Sequence, residues 1–310
     1  MNIDTKHPET LGLHGGSYRK DPVTNAVAVP IYQTTSYQFD SAEHAQKLFG
    51  LQELGNIYTR IMNPTTQALE ERLASIEGGV AALAVASGSS AVALSIQNVA
   101  SAGDNIVASP HLYGGTYNLF TTTLGKMGIE VRFADPDEPE SFRALSDENT
   151  RAYFGETLPN PKLVPFPIEE VASIGRELGI PLIVDNTAAP ITCRPFDFGA
   201  AIVVHSLTKF IGGHGTSIGG VIIDSGNFDW VANPKQQPHF NTPDSSYHGA
   251  IWGELVPEAL GAPIAYAVRA RVVLLRDLGA ALSPTNAFNI IQGLETLALR
   301  FNQHQKNASE

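Results

Sequence analysis

Residues 181–215 read PLIVDNTAAPITCRPFDFGAAIVVHSLTKFIGGHG. Two apolar runs stand out, Pro181 to Val184 ending at Asp185, and Ala201 to Val204 ending at His205 and Ser206. Each run is continuous rather than alternating, which is the pattern of a strand covered on both faces in a parallel sheet. Each ends in polar residues, and Lys209 follows Asp185 by 24 positions, in front of Gly212 and Gly213.

The same rhythm extends outward. Leu69, Leu73 and Ile76 recur at helical spacing before Gly78 and Gly79, and Ala81 to Ala86 form a strand-like run followed by a helix from Ala91 to about Ala100. Ile106 to Ala108 and Ile129 to Phe133 read as strands on either side of a helix from Gly115 to Lys126. Ala152 to Gly155 precedes a helix with Val171, Ile174 and Leu178 on one face, ended by Gly179. Gly219 to Ile223 closes the series. Strands alternating with helices predict an α/β fold, a mostly parallel sheet sandwiched by helices, with ligands at the carboxyl ends of the strands. The first 60 residues carry turn residues and aromatics without a sustained period, as an extended arm would. Residues 226–250 are irregular, and Pro257 to Leu278 and Ala287 to Asn307 read as long helices.

Composition narrows the function classes. The chain has 310 residues, 43% hydrophobic and 16% charged, enough to bury a sizeable core. A net charge of −11 argues against nucleic acid and anionic membranes as partners, since both reward a surplus of lysine and arginine. The single cysteine, Cys193, excludes an internal disulfide and a multi-cysteine zinc site, and it reads as a packing residue. No metal is expected. The amino terminus lacks a signal pattern, and the most apolar stretch, Val80 to Ala100, is interrupted by four small polar or glycine residues from Ser87. A cytoplasmic protein is expected.

The polar residues at the strand ends suggest a chemistry. Ser87-Gly88-Ser89-Ser90 opens a helix, where backbone N–H groups and the positive end of the dipole suit a phosphate; an N-cap alone would account for it equally well. Asp185 at the rim of a buried sheet calls for a cation or strong donors. Lys209 is not a P-loop lysine, because its glycines follow it and no G-x-x-x-x-G-K-[ST] occurs. Pyridoxal 5′-phosphate needs a lysine for a Schiff base, a carboxylate for its ring nitrogen and a phosphate cradle, and all three are present.

At NIYTRIMNPTT (56–66), VASGSSA (85–91), SPHLYGGTYNLF (109–120), GETLPNP (155–161), IVDNTAAP (183–190) and VVHSLTKFIGGHG (203–215) the sequence resembles the Cys/Met-metabolism family of PLP-dependent enzymes, in its O-acetylhomoserine sulfhydrylase branch. The resemblance implies the large domain of the PLP-dependent transferase fold type I. It divides the chain into an arm (1–62), a cofactor-binding large domain (63–255) and long helices (256–310) that are expected to lead to a small carboxy-terminal domain absent from these 310 residues. It also implies that Lys209 forms the Schiff base and moves protons, Asp185 pairs with the ring nitrogen, Tyr113 stacks on the ring and Asn160 lies near the ring hydroxyl. Gly88 and Ser89 amides and Ser206 and Thr208 hydroxyls would hold the phosphate, with Tyr58 and Arg60 reaching it from a neighbouring subunit of a dimer or tetramer.

The implied reaction is γ-replacement on O-acetyl-L-homoserine by sulfide or methanethiol, giving homocysteine or methionine plus acetate. The alternatives are γ-elimination or cystathionine synthesis or cleavage within the same family, and a truncated, non-catalytic cofactor-binding or assembly subunit outside it.

Overall fold

A computed structural model describes residues 5–53 and 55–310; residues 1–4 and Leu54, which belong to the expected arm, lie outside the described residues. The strands are β1 (Ala81–Val85), β2 (Asn105–Ala108), β3 (Glu130–Phe133), β4 (Thr150–Glu156), β5 (Leu182–Asp185), β6 (Ile202–Ser206) and β7 (Gly220–Asp224). They form one seven-stranded sheet in the order β1-β7-β6-β5-β4-β2-β3. β2 to β6 are parallel, and β7 is antiparallel to both of its neighbours. β1 therefore runs in the same direction as β2 to β6, and its carboxyl end emerges at the same edge.

Both faces of the sheet are dry along the interior strands, as the continuous apolar runs require, while the edge strand β3 is partly exposed. Leu83, Val85, Ile183, Ile202, Val204 and Ile222 belong to one core, and Ala82, Ala84, Val184, Val203, Val221 and Ile223 to the other. The alternation follows from the period of two along each strand. The helices Pro64–Glu77 and Ile168–Leu178 cover the second face, and Gly88–Gln97 covers the first. Gly179 ends its helix in the left-handed region at φ 71°, a conformation open to glycine at little cost.

The helical expectations need three corrections. The helix expected from Ala91 starts three residues earlier, at Gly88, because the Ser87 hydroxyl caps it by accepting the Ser90 N–H at 3.1 Å. The segment 257–278 is not one helix. Trp252–Leu260 stops at Gly261, at φ 63°, and Pro263, which has no N–H to donate, delays the next helical turn to Ala265. Residues 287–307 likewise divide into Pro284–Glu295 and Leu297–Ser309, with Thr296 at φ −111°, ψ 7° forming the joint. The first 60 residues lie outside the sheet, yet they contain short helices at Pro8–His14 and Ala42–Phe49; Ser41 caps the second by accepting the His44 N–H.

Candidate active site

The carboxyl ends of β1, β2, β4, β5 and β6 open into one cavity of about 800 Å3. Eight of the ten expected site residues line it: Gly88, Ser89, Tyr113, Asn160, Asp185, Ser206, Thr208 and Lys209. The other two, Tyr58 and Arg60, line a separate depression of about 410 Å3 with Gln33 and Pro284. There the Arg60 guanidinium lies over the Tyr58 ring, 5.4 Å from its centre, and donates to the Arg276 carbonyl.

One wall is the start of the helix Gly88–Gln97. Its first two amides, Gly88 and Ser89, have no acceptor within the helix and face the cavity side. A side chain at Gly88 would put its Cβ 2.6 Å from Ser206 Cβ, so the helix end and the end of β6 approach as only glycine permits. Thr208 on the same side is already engaged: its hydroxyl donates to the Gly219 carbonyl at 3.3 Å and accepts the Gly219 N–H at 3.2 Å.

The opposite wall carries two carboxylates. Asp185 and Glu156 are register partners at the ends of the parallel strands β5 and β4. Sequence reasoning assigned no role to Glu156, although it lies in GETLPNP, at the end of a strand directly before a turn. Glu156 is buried and accepts the Tyr113 N–H at 2.7 Å and the Asn160 N–H at 3.4 Å. Burial and the neighbouring Asp185 charge push its carboxyl up to about 8, against the two N–H donors. Burial raises Asp185 as well, opposed by the Thr187 donors and the positive potential of His205. Thr187 was also missed. Its N–H binds Asp185 at 2.9 Å, and its hydroxyl accepts the Ser206 N–H at 2.7 Å, linking the ends of β5 and β6. Behind them His205 Nε2 meets Glu77 Oε1 at 2.7 Å in the buried layer.

Cys193 lies away from this cavity, packed against the second core. Burial, with Glu77 and Asp197 nearby, pushes its thiol up to about 11, so it stays protonated and inert at neutral pH, as a packing cysteine should.

These walls fit a phosphorylated pyridine aldehyde. Open helix amides beside the Ser206 hydroxyl suit its phosphate, a carboxylate pair short of a cation suits its ring nitrogen, and Lys209 supplies an amine in the same cavity.

The family pattern described as Cys/Met metabolism PLP-dependent enzyme matches residues 9–310. The chain belongs to that family. Within the family it is 55% identical over 306 residues to the O-acetyl-L-homoserine sulfhydrylase of Leptospira meyeri, covering 97% of this chain and 68% of the relative. It is 47% identical over 310 residues to the homocysteine synthase of Schizosaccharomyces pombe, covering 99% of this chain and 71% of the relative. A Campylobacter jejuni crystal structure that carries N′-pyridoxyl-lysine-5′-monophosphate superposes with a TM-score of 0.92 at 42% identity, over 98% of this chain and 74% of that one. The Cys/Met-metabolism enzymes use pyridoxal phosphate, and this chain has their mostly parallel sheet flanked by helices. Among the described residues no helix is long and apolar enough to cross a membrane.

Proposed function

We propose that the protein catalyses γ-replacement on O-acetyl-L-homoserine with sulfide or methanethiol, releasing acetate and giving homocysteine or methionine. The observation that carries this is the convergence of Lys209, the Asp185–Glu156 pair and the Gly88–Ser89 helix end on one cavity. The names of the relatives point to the same reaction, and all of those cited are enzymes of sulfur transfer, which disfavours a non-catalytic assembly subunit.

Pyridoxal phosphate, when bound, supplies an aldehyde that joins amines and a ring that delocalises the negative charge left when a carbon loses its proton. The chain's own residues do the rest in this reading. Lys209 anchors the cofactor through its amine and then carries protons at the substrate's Cα and Cβ. Asp185, ionised by the positive charge it faces, accepts the hydrogen bond of the ring N–H and keeps the ring cationic. The Gly88 and Ser89 amides and the Ser206 hydroxyl would bind phosphate, joined by the Thr208 hydroxyl once it turns from the Gly219 carbonyl, and Asn160 would bind the ring hydroxyl. Tyr113, half-exposed at the cavity wall and fixed through its N–H by Glu156, stacks on the ring face and assists departure of acetate. Tyr58 and Arg60, which stand apart from their own chain's cavity, complete the phosphate site of a second copy in a dimer or tetramer.

The test is an assay of the purified protein with pyridoxal phosphate, O-acetylhomoserine and sulfide. Homocysteine and acetate should form in equal amounts. Formation of 2-oxobutyrate and ammonia without added thiol would move the assignment to γ-elimination, and absence of any product with cofactor bound would remove it.

A further inference from the structure

We propose that Arg300 is a positioning residue that clamps the loop carrying Lys209, an inference that rests on Lys209 being the cofactor lysine. Arg300 sits on the helix Leu297–Ser309 and lines the cavity together with Lys209, Phe210 and Gly213. Its Nη1 donates to the Phe210 carbonyl at 2.7 Å. Nη2 donates to the Ile211 carbonyl at 3.2 Å and to the Gly293 carbonyl at 2.6 Å, and Nε donates to the Thr296 hydroxyl at 3.2 Å. All four acceptors are neutral, and three belong to the main chain. Among the described residues Arg300 makes no ion pair, and burial alone acts on its guanidinium, holding its pKa below the ordinary arginine value.

A guanidinium spent on backbone carbonyls fixes backbone. The turn after Lys209 closes on itself through Gly212 N–H to the Leu207 carbonyl and Gly213 N–H to the Lys209 carbonyl, each at 2.8 Å. That leaves the next carbonyls, Phe210 and Ile211, without acceptor duties inside the turn, and Arg300 takes both. The same group takes the Gly293 carbonyl in the last turn of Pro284–Glu295, so one planar fork joins the lysine loop to the joint between two helices.

The glycines around the clamp have their reason in it. Gly213 has φ 70°, and a Cβ there would lie 2.3 Å from Arg300 Nη1. A Cβ on Gly293 would lie 2.1 Å from the Gly212 carbonyl oxygen. Gly213 thus admits the guanidinium on one side of the loop, and Gly293 lets the helix Pro284–Glu295 close on the loop backbone from the other. Lysine in place of Arg300 offers a single point of donors and cannot span these acceptors.

Hydrogen exchange on the cofactor-free protein tests the clamp apart from the chemistry, on wild type, Arg300→Met, Arg300→Lys and Gly213→Ala. The Gly212 and Gly213 amides should exchange at least about tenfold faster in all three variants, with β4, β5 and β6 unchanged. With pyridoxal phosphate bound, kcat should fall by about 100-fold, the cost of a small misplacement of a reacting group, while KM for the acylated homoserine stays within about twofold. The Arg300→Met, Gly213→Ala double variant should be no slower than the worse single one. Unchanged exchange in the loop, exchange raised equally across the sheet, or an unchanged kcat would each overturn the clamp. A wild-type protein that takes up no cofactor on Lys209 would instead sink the functional reading, and the exchange comparison would still judge the clamp.

Discussion

The cavity at the sheet edge and the depression around Tyr58 and Arg60 are built by opposite means. In the cavity, strands locked in register deliver Glu156, Asp185, Ser206 and the lysine loop side by side, each backbone anchored by its neighbour. In the depression, Tyr58 and Arg60 come from a segment outside the sheet, held by the isolated bridge Ser36 to Tyr58, by the Thr59 N–H on the Thr35 carbonyl at 2.8 Å and by the Arg60 guanidinium on the Arg276 carbonyl. The first arrangement fixes chemistry within one chain. The second holds an aromatic ring and a guanidinium apart from the cavity, and the proposed function assigns them to a second copy.

The largest test of this contrast is at the lysine. Lys209→Ala should remove the visible absorption band of the bound cofactor and lower kcat by about 10,000-fold, the upper range for a group that moves protons in the rate-determining steps. A variant that keeps the band would place the reactive amine elsewhere. Asp185→Asn should leave the cofactor bound but lower kcat by roughly 100-fold to 1000-fold, as loss of one charge aimed at a developing charge does. An unchanged rate would mean that the ring nitrogen is held by another group.

Glu156 sharpens the same side of the comparison through pH. Its carboxyl, raised from 4.5 to about 8, binds a proton in the folded protein that the unfolded chain lacks between those values. Stability of the cofactor-free protein is therefore fullest below pH 4.5 as far as this group is concerned, and falls as pH rises through about 8. Glu156→Gln should flatten that fall, by an amount on the order of 2 kcal/mol in denaturant titrations at pH 6 and pH 9. Parallel curves for the two proteins would show that the Glu156–Asp185 pair does not share this burden.

The smallest expected effect lies in the depression. Arg60→Ala should weaken cofactor phosphate binding by about tenfold, one charge-assisted contact's worth, with the fold intact. Mixed with Lys209→Ala subunits it should regain wild-type cofactor affinity at part of its Lys209 sites, because in the proposed shared-site dimer one site then has both residues. Mixtures whose affinity stays that of Arg60→Ala alone would confine each site to a single chain.

How far the sequence reveals all this follows the same division. Asp185 and Lys209 are readable because a continuous apolar run announces a buried parallel strand and the polar residue at its end has one place to go. Register, however, is invisible in sequence, so the pairing of Glu156 with Asp185 appears only once β4 and β5 lie side by side. Arg300 is hidden for another reason. It reaches the lysine loop because the helical pattern breaks at Thr296, and a pattern of helical spacing running across that residue reads as one continuous helix. The arm's two short helices escape for want of length, since a single amphipathic turn or two has no period to detect.

The antiparallel strand β7 has a consequence for how the protein comes apart. Ser206 at the end of β6 pairs with Gly220 at the start of β7, so the segment bearing Lys209 is a loop tied at both ends to the same central ladder. Its ends stay fixed until two interior strands part, so the loop can loosen locally while its anchors are among the last portion of the molecule to melt. The first 60 residues, with Val23 and Val27 largely in solvent and, among the described residues, no strand of the sheet, belong to the first portion to melt. Heat should therefore loosen the first 60 residues before it frees the segment bearing Lys209.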